Sequence, residues 1–381
     1  MPQLRLGILA TSGKPAERRL PLHPRHFGRV PPQVRPALHL ETGYGERFGV
    51  PDSDLAPLVA GLGSRKQLIA QCDVILLPKP VHADVAELRP GSVLWGWPHC
   101  VQDATITQLA IDQKLTMIAW EAMNYWTAED TFDLHVFHKN NELAGYSSVL
   151  HAFALRGITG AYGRRLRAVV ISFGATGRGA VIALEAMGVS DVTVITLRDV
   201  HAVAAPFPSA TMGQFERVDE AWRNQVLTGR GPVPLAEFLA GFDVVVNCVR
   251  QDTDAPLMFV TAEEVTTFRS GTLLIDVSCD EGMGFSFARA TSFAEPVFSV
   301  GDGVTYYGVD HSPSYLWNSA TWEISEALIP FLEPLVAGPQ GWERNATLRH
   351  AVEIRDGVVQ NPSILSFQGR AAEYPHERRA G

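Results

Sequence analysis

Four residues of the kinds that bind anions or move protons stand just beyond short apolar runs that read as strands. Arg19 follows Leu4–Ala10, and Lys79 follows DVILL (Asp73–Leu77). His99 follows SVLWGW (Ser92–Trp97), and Glu121 follows TMIAW (Thr116–Trp120). In open parallel sheets, ligands collect at the carboxyl ends of strands, so one site could gather all four. A guanidinium fork holds a carboxylate bidentately. Arg19 suits that task, with Arg18 beside it as the competitor. Lys79, fixed between Pro78 and Pro80, can bind a carboxylate or polarise a carbonyl. His99 can give or take a proton near neutral pH.

A second group surrounds the stretch RAVVISFGATGRGAVIALEAMGVSDVTVITLR, residues 167–198. It reads as strand, glycine turn, helix and strand, the unit that builds parallel sheet. Ser172, Gly174 and Gly177 occupy the three positions of a G-x-G-x-x-G turn, whose glycines let backbone approach a pyrophosphate at a helix start. Ser172, Gly174, Ala175, Thr176 and Gly177 are therefore the candidate phosphate cradle. At the end of the second strand, an acidic residue would bond a ribose 2′-hydroxyl, whereas a small residue with an arginine nearby suits a 2′-phosphate. Thr196, Leu197 and Arg198 stand there. They favour NADP(H), while Asp199 keeps NAD(H) possible. Cys248 and Val249, at the end of the strand FDVVVNC, join the cofactor contacts. Asp280, after TLLIDVS, can place a carboxylate over a nicotinamide, and Asp276 reads as a loop cap.

Strands alternating with helices in both halves predict an α/β protein with doubly wound parallel sheets. Asp54–Gln71, Ala104–Asp112, Leu134–Leu155, Leu235–Leu239 and Ser319–Leu335 read as helical, and His201–Phe215 reads as loop. The D-G pair in Ala351–Gln360 predicts a hairpin, and the last twelve residues or so read as poorly ordered. The chain of 381 residues is 46% apolar and 19% charged, which is globular. A net charge of −9 argues against a nucleic-acid partner. Four scattered cysteines show neither metal spacing nor a disulfide framework, so no metal is expected. No apolar run approaches the roughly 18 residues of a membrane span, and the amino terminus is too short and weakly apolar for a signal peptide. A soluble cytoplasmic protein is the expectation.

Eight stretches, ERRLPLHP, ETGYGERFGV, LLPKP, GWPH, HKNNELAGYSSVLHA, FGATGRGA, GTLLIDVSCDEG and VDHSPSYLWNSATWEIS, occur in the order found in a known family. The chain resembles the alanine dehydrogenase and transhydrogenase α-subunit family. Within it, the chain looks most like the N5-(carboxyethyl)ornithine synthases, with a VDHSPS segment similar to one in saccharopine dehydrogenases. The resemblance spans about residues 1–335. It implies two Rossmann-like domains around a cleft: 1–134 with 305–337 for substrate and catalysis, 135–304 for NAD(P), and 338–381 as a C-terminal extension. It also implies a homo-oligomer. By motif, Arg19 resembles the substrate-carboxylate arginine and Lys79 the substrate lysine, and His99 and Asp280 look like the acid–base pair. Ser172 and Thr196–Arg198 depart from alanine dehydrogenases toward the NADPH-using carboxyethylornithine synthases.

The expected activity is NADP(H)-dependent reductive condensation of a 2-oxo acid, pyruvate by resemblance, with the amine of an amino acid, giving an opine-like secondary amine. The alternatives are an alanine dehydrogenase using ammonia and a non-catalytic NADP(H)-binding sensor. A diamino acid would need an acidic or polar group at its far end, and Glu121, Glu142 and Glu281 are all open for that role.

Overall fold

The apolar runs Leu6–Ile8, Val74–Leu76, Val93–Gly96 and Thr116–Ala119 are buried along their whole length, as parallel strands covered on both faces must be. The computed structural model describes residues 3–198, 208–218 and 224–378. The chain divides into two units, Met1–Phe137 with Trp317–Gly381, and His138–Leu316.

The first unit holds an eight-stranded sheet. Leu6–Ile8 lies between Leu38–Glu41 and Val74–Leu76, and Val93–Gly96 and Thr116–Ala119 extend the parallel set. Strand order therefore reverses at the end of Leu6–Ile8, and Arg19 lies in the loop that leaves it. Gly61–Gly63 adds the far edge. Asp54–Gln71, expected as one helix, is thus broken. Pro57, Gly61 and Gly63 disfavour a continuous helix, and a capping box between Ser64 and Gln67 restarts it at Arg65–Gln71. The near edge is the hairpin Val352–Arg355 and Val358–Val359, paired antiparallel to Thr116–Ala119. The helix Trp317–Val336 packs Ile324, Leu328, Leu332 and Leu335 into this core.

The second unit holds a nine-stranded sheet. Arg167–Ile171 lies between Asp191–Thr196 and Val244–Asn247, all parallel, so here too the order reverses at the first strand's end. Ala210–Arg217 extends one side and Leu273–Asp276 the other. Part of the segment expected as loop is thus strand, residues 208–209 form a turn before it, and residues 201–207, with Asp199, lie outside the described residues. The long helix runs His138–Arg156, because Phe132–His135 instead pairs with Asn124–Trp126. It crosses the glycine-turn helix Ala175–Ala186 backbone to backbone. A Cβ on Gly145 would stand 1.9 Å from the Thr176 carbonyl oxygen, and one on Gly179 would stand 1.8 Å from that of Glu142.

The domain boundaries differ from those expected. Val297–Val300 and Val304–Tyr307 form a hairpin that continues the second sheet through Leu273–Asp276. Tyr306 and Tyr307 are fully buried there, so the chain returns at Trp317 rather than 305. Residues 338–378 pack within the first unit rather than extending from it, and Arg370 and His376 in the tail are buried. All four cysteines are buried thiols, Cys72 and Cys100 in the first unit and Cys248 and Cys279 in the second. Among the described residues, no helix is long and apolar enough to cross a membrane.

Candidate functional site

In the first unit, three strand ends bring Lys79, His99 and Glu121 together. The Lys79 ammonium lies 2.7 Å from His99 Nε2. His99 Nδ1 lies 3.3 Å from Glu121 Oε1, and the same oxygen accepts the His99 backbone N–H at 2.5 Å. An ammonium can only donate. With Lys79 an ammonium, Nε2 is the accepting nitrogen of a neutral imidazole, and Nδ1 lies near Glu121. Ser12 Oγ donates to the Lys79 carbonyl and pins that backbone. His99 itself has φ +51°, a left-handed conformation that is costly for a residue with a Cβ.

Glu121 is pushed up to about 8, first by burial and then by the negative charge of Glu353. Its Oε2 is buried without a hydrogen-bond partner. Glu353, on the C-terminal hairpin, is buried and accepts from Asn361 Nδ2 at 3.0 Å. This second carboxylate is absent from the sequence-based candidates. Its signal was an acidic residue between Val352 and Ile354 in a strand where all three are buried.

Arg18 is exposed and Arg19 buried. Arg19 Nε and Nη2 donate to the two oxygens of Glu17 at 2.9 and 2.6 Å, and its guanidinium lies 5.2 Å from the Trp97 ring centroid. Glu17 is a further residue the sequence reading missed. Its presence two positions before Arg19 was visible, but a bidentate pair within one loop is not a periodic signal.

In the second unit, the glycine turn meets the amino terminus of the helix Ala175–Ala186, whose cap residue Gly174 provides no side-chain hydrogen bond. A Cβ on Gly177 would stand 2.3 Å from the Ser172 carbonyl oxygen, so this glycine serves packing. Gly174 differs. Its φ of −80° suits any residue, and a Cβ there meets nothing within 4 Å. Neither backbone conformation nor packing calls for glycine at 174, and the open space fits a group bound against the helix start, with Ala175 and Thr176 beside it. Ser172, at the first position, has φ +83°. Thr196 ends the second strand, and its Oγ1 accepts the Arg198 N–H at 3.2 Å. The exposed Arg198 side chain reaches the Phe173 carbonyl at 3.3 Å. Cys248 N–H bonds the Ile171 carbonyl, and Val249 N–H bonds Asn247 Oδ1, which holds the neighbouring strand end beside the turn. The residues present therefore fit a dinucleotide.

Asp276 is fully buried and accepts from Asn247 Nδ2, Cys279 N–H and the Tyr306 hydroxyl. It fixes the turn that presents Asp280. Burial pushes Asp280 up to about 6, against the pull of Arg250. Glu142 pairs with Lys139 at 2.8 Å, and Glu281 is exposed.

Two family models match: alanine dehydrogenase/PNT, N-terminal domain, over residues 8–144, and alanine dehydrogenase/PNT, C-terminal domain, over residues 150–362. The chain is similar to an N(5)-(carboxyethyl)ornithine synthase of Clostridium botulinum, 24% identical over 85% of this chain and 92% of that one. It is also similar to an alanine dehydrogenase of Mycobacterium tuberculosis, 24% identical over 96% and 97%. Among solved structures, an L-alanine dehydrogenase superposes with a TM-score of 0.73 at 18% identity, covering 96% of this chain and 99% of that one. A transhydrogenase from Sinorhizobium meliloti gives 0.65 at 20%, covering 94% and 99%. The two sheets are those of two Rossmann-like domains. The chain belongs to the alanine dehydrogenase/PNT family, and is an oxidoreductase of the amino-acid dehydrogenase and opine synthase kind, acting on CH–NH groups with a nicotinamide cofactor.

Proposed function

We propose that this enzyme uses NADP(H) to condense a 2-oxo acid, pyruvate in the first instance, with the amine of an amino acid, giving a secondary amine. The observation that carries the reading is the Lys79–His99–Glu121 chain, which holds a neutral imidazole between a cation and a carboxyl group. NADPH, when bound, supplies the hydride. The glycine turn at Gly174–Gly177 and the helix start would hold its pyrophosphate, and Arg198 beside Thr196 would pair with the 2′-phosphate.

Arg19 holds the oxo-acid carboxylate through its guanidinium. Lys79 donates to the carbonyl oxygen and makes the carbon more electrophilic. As the neutral amine adds, Lys79 passes a proton to the carbonyl oxygen and His99 takes the proton released from nitrogen; His99 then gives that proton to the hydroxyl so formed, so that water leaves and an iminium forms. In the second unit, Asp280 takes the place of the other acid–base residue that the family resemblance implies, its carboxyl pushed up to about 6 by burial. The N(5)-(carboxyethyl)ornithine synthase relatives support an amino-acid amine. The alanine dehydrogenase relatives support ammonia as the competing amine.

The test is NADPH oxidation with pyruvate and, in turn, ammonia, ornithine, lysine or arginine, followed by product mass. Oxidation with an amino acid and a product carrying an added carboxyethyl group supports the proposal. Turnover with ammonia alone replaces it with alanine formation. His99→Ala should lower turnover by about two orders of magnitude or more while NADPH still binds.

A further inference from the structure

The left-handed turn at His99 is held from both sides, and part of the hold comes from the far end of the chain. Before it, Glu121 accepts the His99 N–H. After it, the His99 carbonyl accepts the N–H groups of Gln102 and Asp103 at 3.1 and 2.8 Å. The next two carbonyls, Cys100 and Val101, both accept from Gln368 Nε2, at 2.7 and 3.1 Å. Gln368 is buried at the end of the helix Pro362–Gln368, beyond the residues that match the family model. Its own oxygen is fixed by Arg370 Nε at 2.6 Å. Arg370, also buried, donates in addition to Gln108 Oε1 and the His376 carbonyl at 2.8 and 3.1 Å. Thr107 Oγ1 is a second donor to the Cys100 carbonyl, at 2.6 Å.

A strained residue persists only where its surroundings over-determine it. A buried carbonyl stripped of its donor relaxes toward any other partner. We propose that Gln368, locked by Arg370, is a positioning residue for His99: the C-terminal segment holds the carbonyls after His99 and so keeps its imidazole between Lys79 and Glu121. This rests on His99 being the acid–base residue, and the two ideas can fail separately.

The test substitutes Gln368→Met, which keeps the length and removes the donor. The His99 imidazole is followed by NMR titration in the protein without ligands. Turnover is followed as NADPH oxidation with pyruvate and whichever amine is active. The expected result is a His99 titration midpoint displaced by about half a unit or more, kcat lower by about tenfold or more, and an unchanged Kd for NADPH. In a His99→Ala background, Gln368→Met should cost no further activity, because both changes act through one group. An unchanged midpoint, an unchanged kcat, or losses that multiply in the double variant overturns the proposal. If Gln368→Met does not fold, Thr107→Val, which removes the other donor to Cys100, is read by the same criteria with a smaller expected loss. Full turnover in His99→Ala alone would instead sink the assignment of His99, while the titration still reports whether Gln368 positions the ring.

Discussion

Replacing Glu121 by Gln should make the protein more stable as the pH rises, relative to wild type. In the folded chain, burial and the neighbouring Glu353 push Glu121 from 4.5 up to about 8. A carboxyl raised on folding binds its proton more tightly in the folded state. Its stabilising effect is complete below pH 4.5 and is lost as the pH climbs to about 8. The slope is at most about 1.4 kcal/mol per pH unit, so the wild type gives up a few kcal/mol, at most about 4, across that window. Gln has the shape of the protonated acid and does not titrate. The two proteins should therefore be nearly equal at pH 5 and diverge in favour of Glu121→Gln toward pH 8. Asp276 and Asp280, both raised to about 6, impose the same sign but are common to both proteins and cancel. Urea denaturation at pH 5, 6, 7, 8 and 9, followed by tryptophan fluorescence, gives the difference curve. Seven of the eight tryptophans lie in the first unit, so the signal reports the unit that holds Glu121. A difference flat to within about 0.5 kcal/mol over this range would refute the argument that buried negative charge at Glu121 opposes folding.

The other predictions concern the glycine turn. Gly174→Ala should leave the melting temperature unchanged, because the new Cβ meets no protein atom, yet weaken NADPH binding by about tenfold in a titration of cofactor fluorescence. Equal affinity would place the pyrophosphate elsewhere. Arg198→Ala should weaken NADPH by about 10-fold or more, the lower end of the value of one charged hydrogen bond, about 1.5 kcal/mol, because the side chain is exposed, and leave NADH unchanged; equal losses for both cofactors would remove Arg198 from the 2′-phosphate. Ser172→Gly relieves a φ of +83° and should stabilise by about 0.5–1 kcal/mol, the left-handed cost less the entropy of glycine. A lower midpoint in urea would count against strain at this turn.

The fold was legible where hydrophobic pattern and turn chemistry agreed. The strands that start from Leu4–Ala10, Asp73–Leu77, Ser92–Trp97 and Thr116–Trp120, the strand–turn–helix–strand unit of 167–198, the helix Ala104–Asp112 and the D-G hairpin stand where the sequence places them, whereas the strands Gly61–Gly63, Ala210–Arg217 and Val304–Tyr307 do not. The misreadings share a cause. Tyr306 and Tyr307 carry no mark in the sequence of which core they fill, so the crossing to the first unit was placed before Trp317. The tail looks polar because Gln368 and Arg370 are buried as a hydrogen-bonded set rather than as an apolar face, and no periodicity encodes that. The Lys79–His99–Glu121 cluster was visible as three strand ends. What stayed hidden was the second tier of Glu17, Glu353 and Gln368, whose partners are fixed by side-chain reach rather than by sequence spacing.

The buried cysteines turn the protein into its own unfolding gauge. Burial pushes the Cys72 thiol up to about 11 and raises Cys100 and Cys248 as well. A thiol so placed does not react as the thiolate that alkylating reagents require. Modification must wait for the surrounding core to open. Because each unit contains two cysteines, alkylation by iodoacetamide, mapped by mass spectrometry, would time the opening of each unit separately without an introduced label.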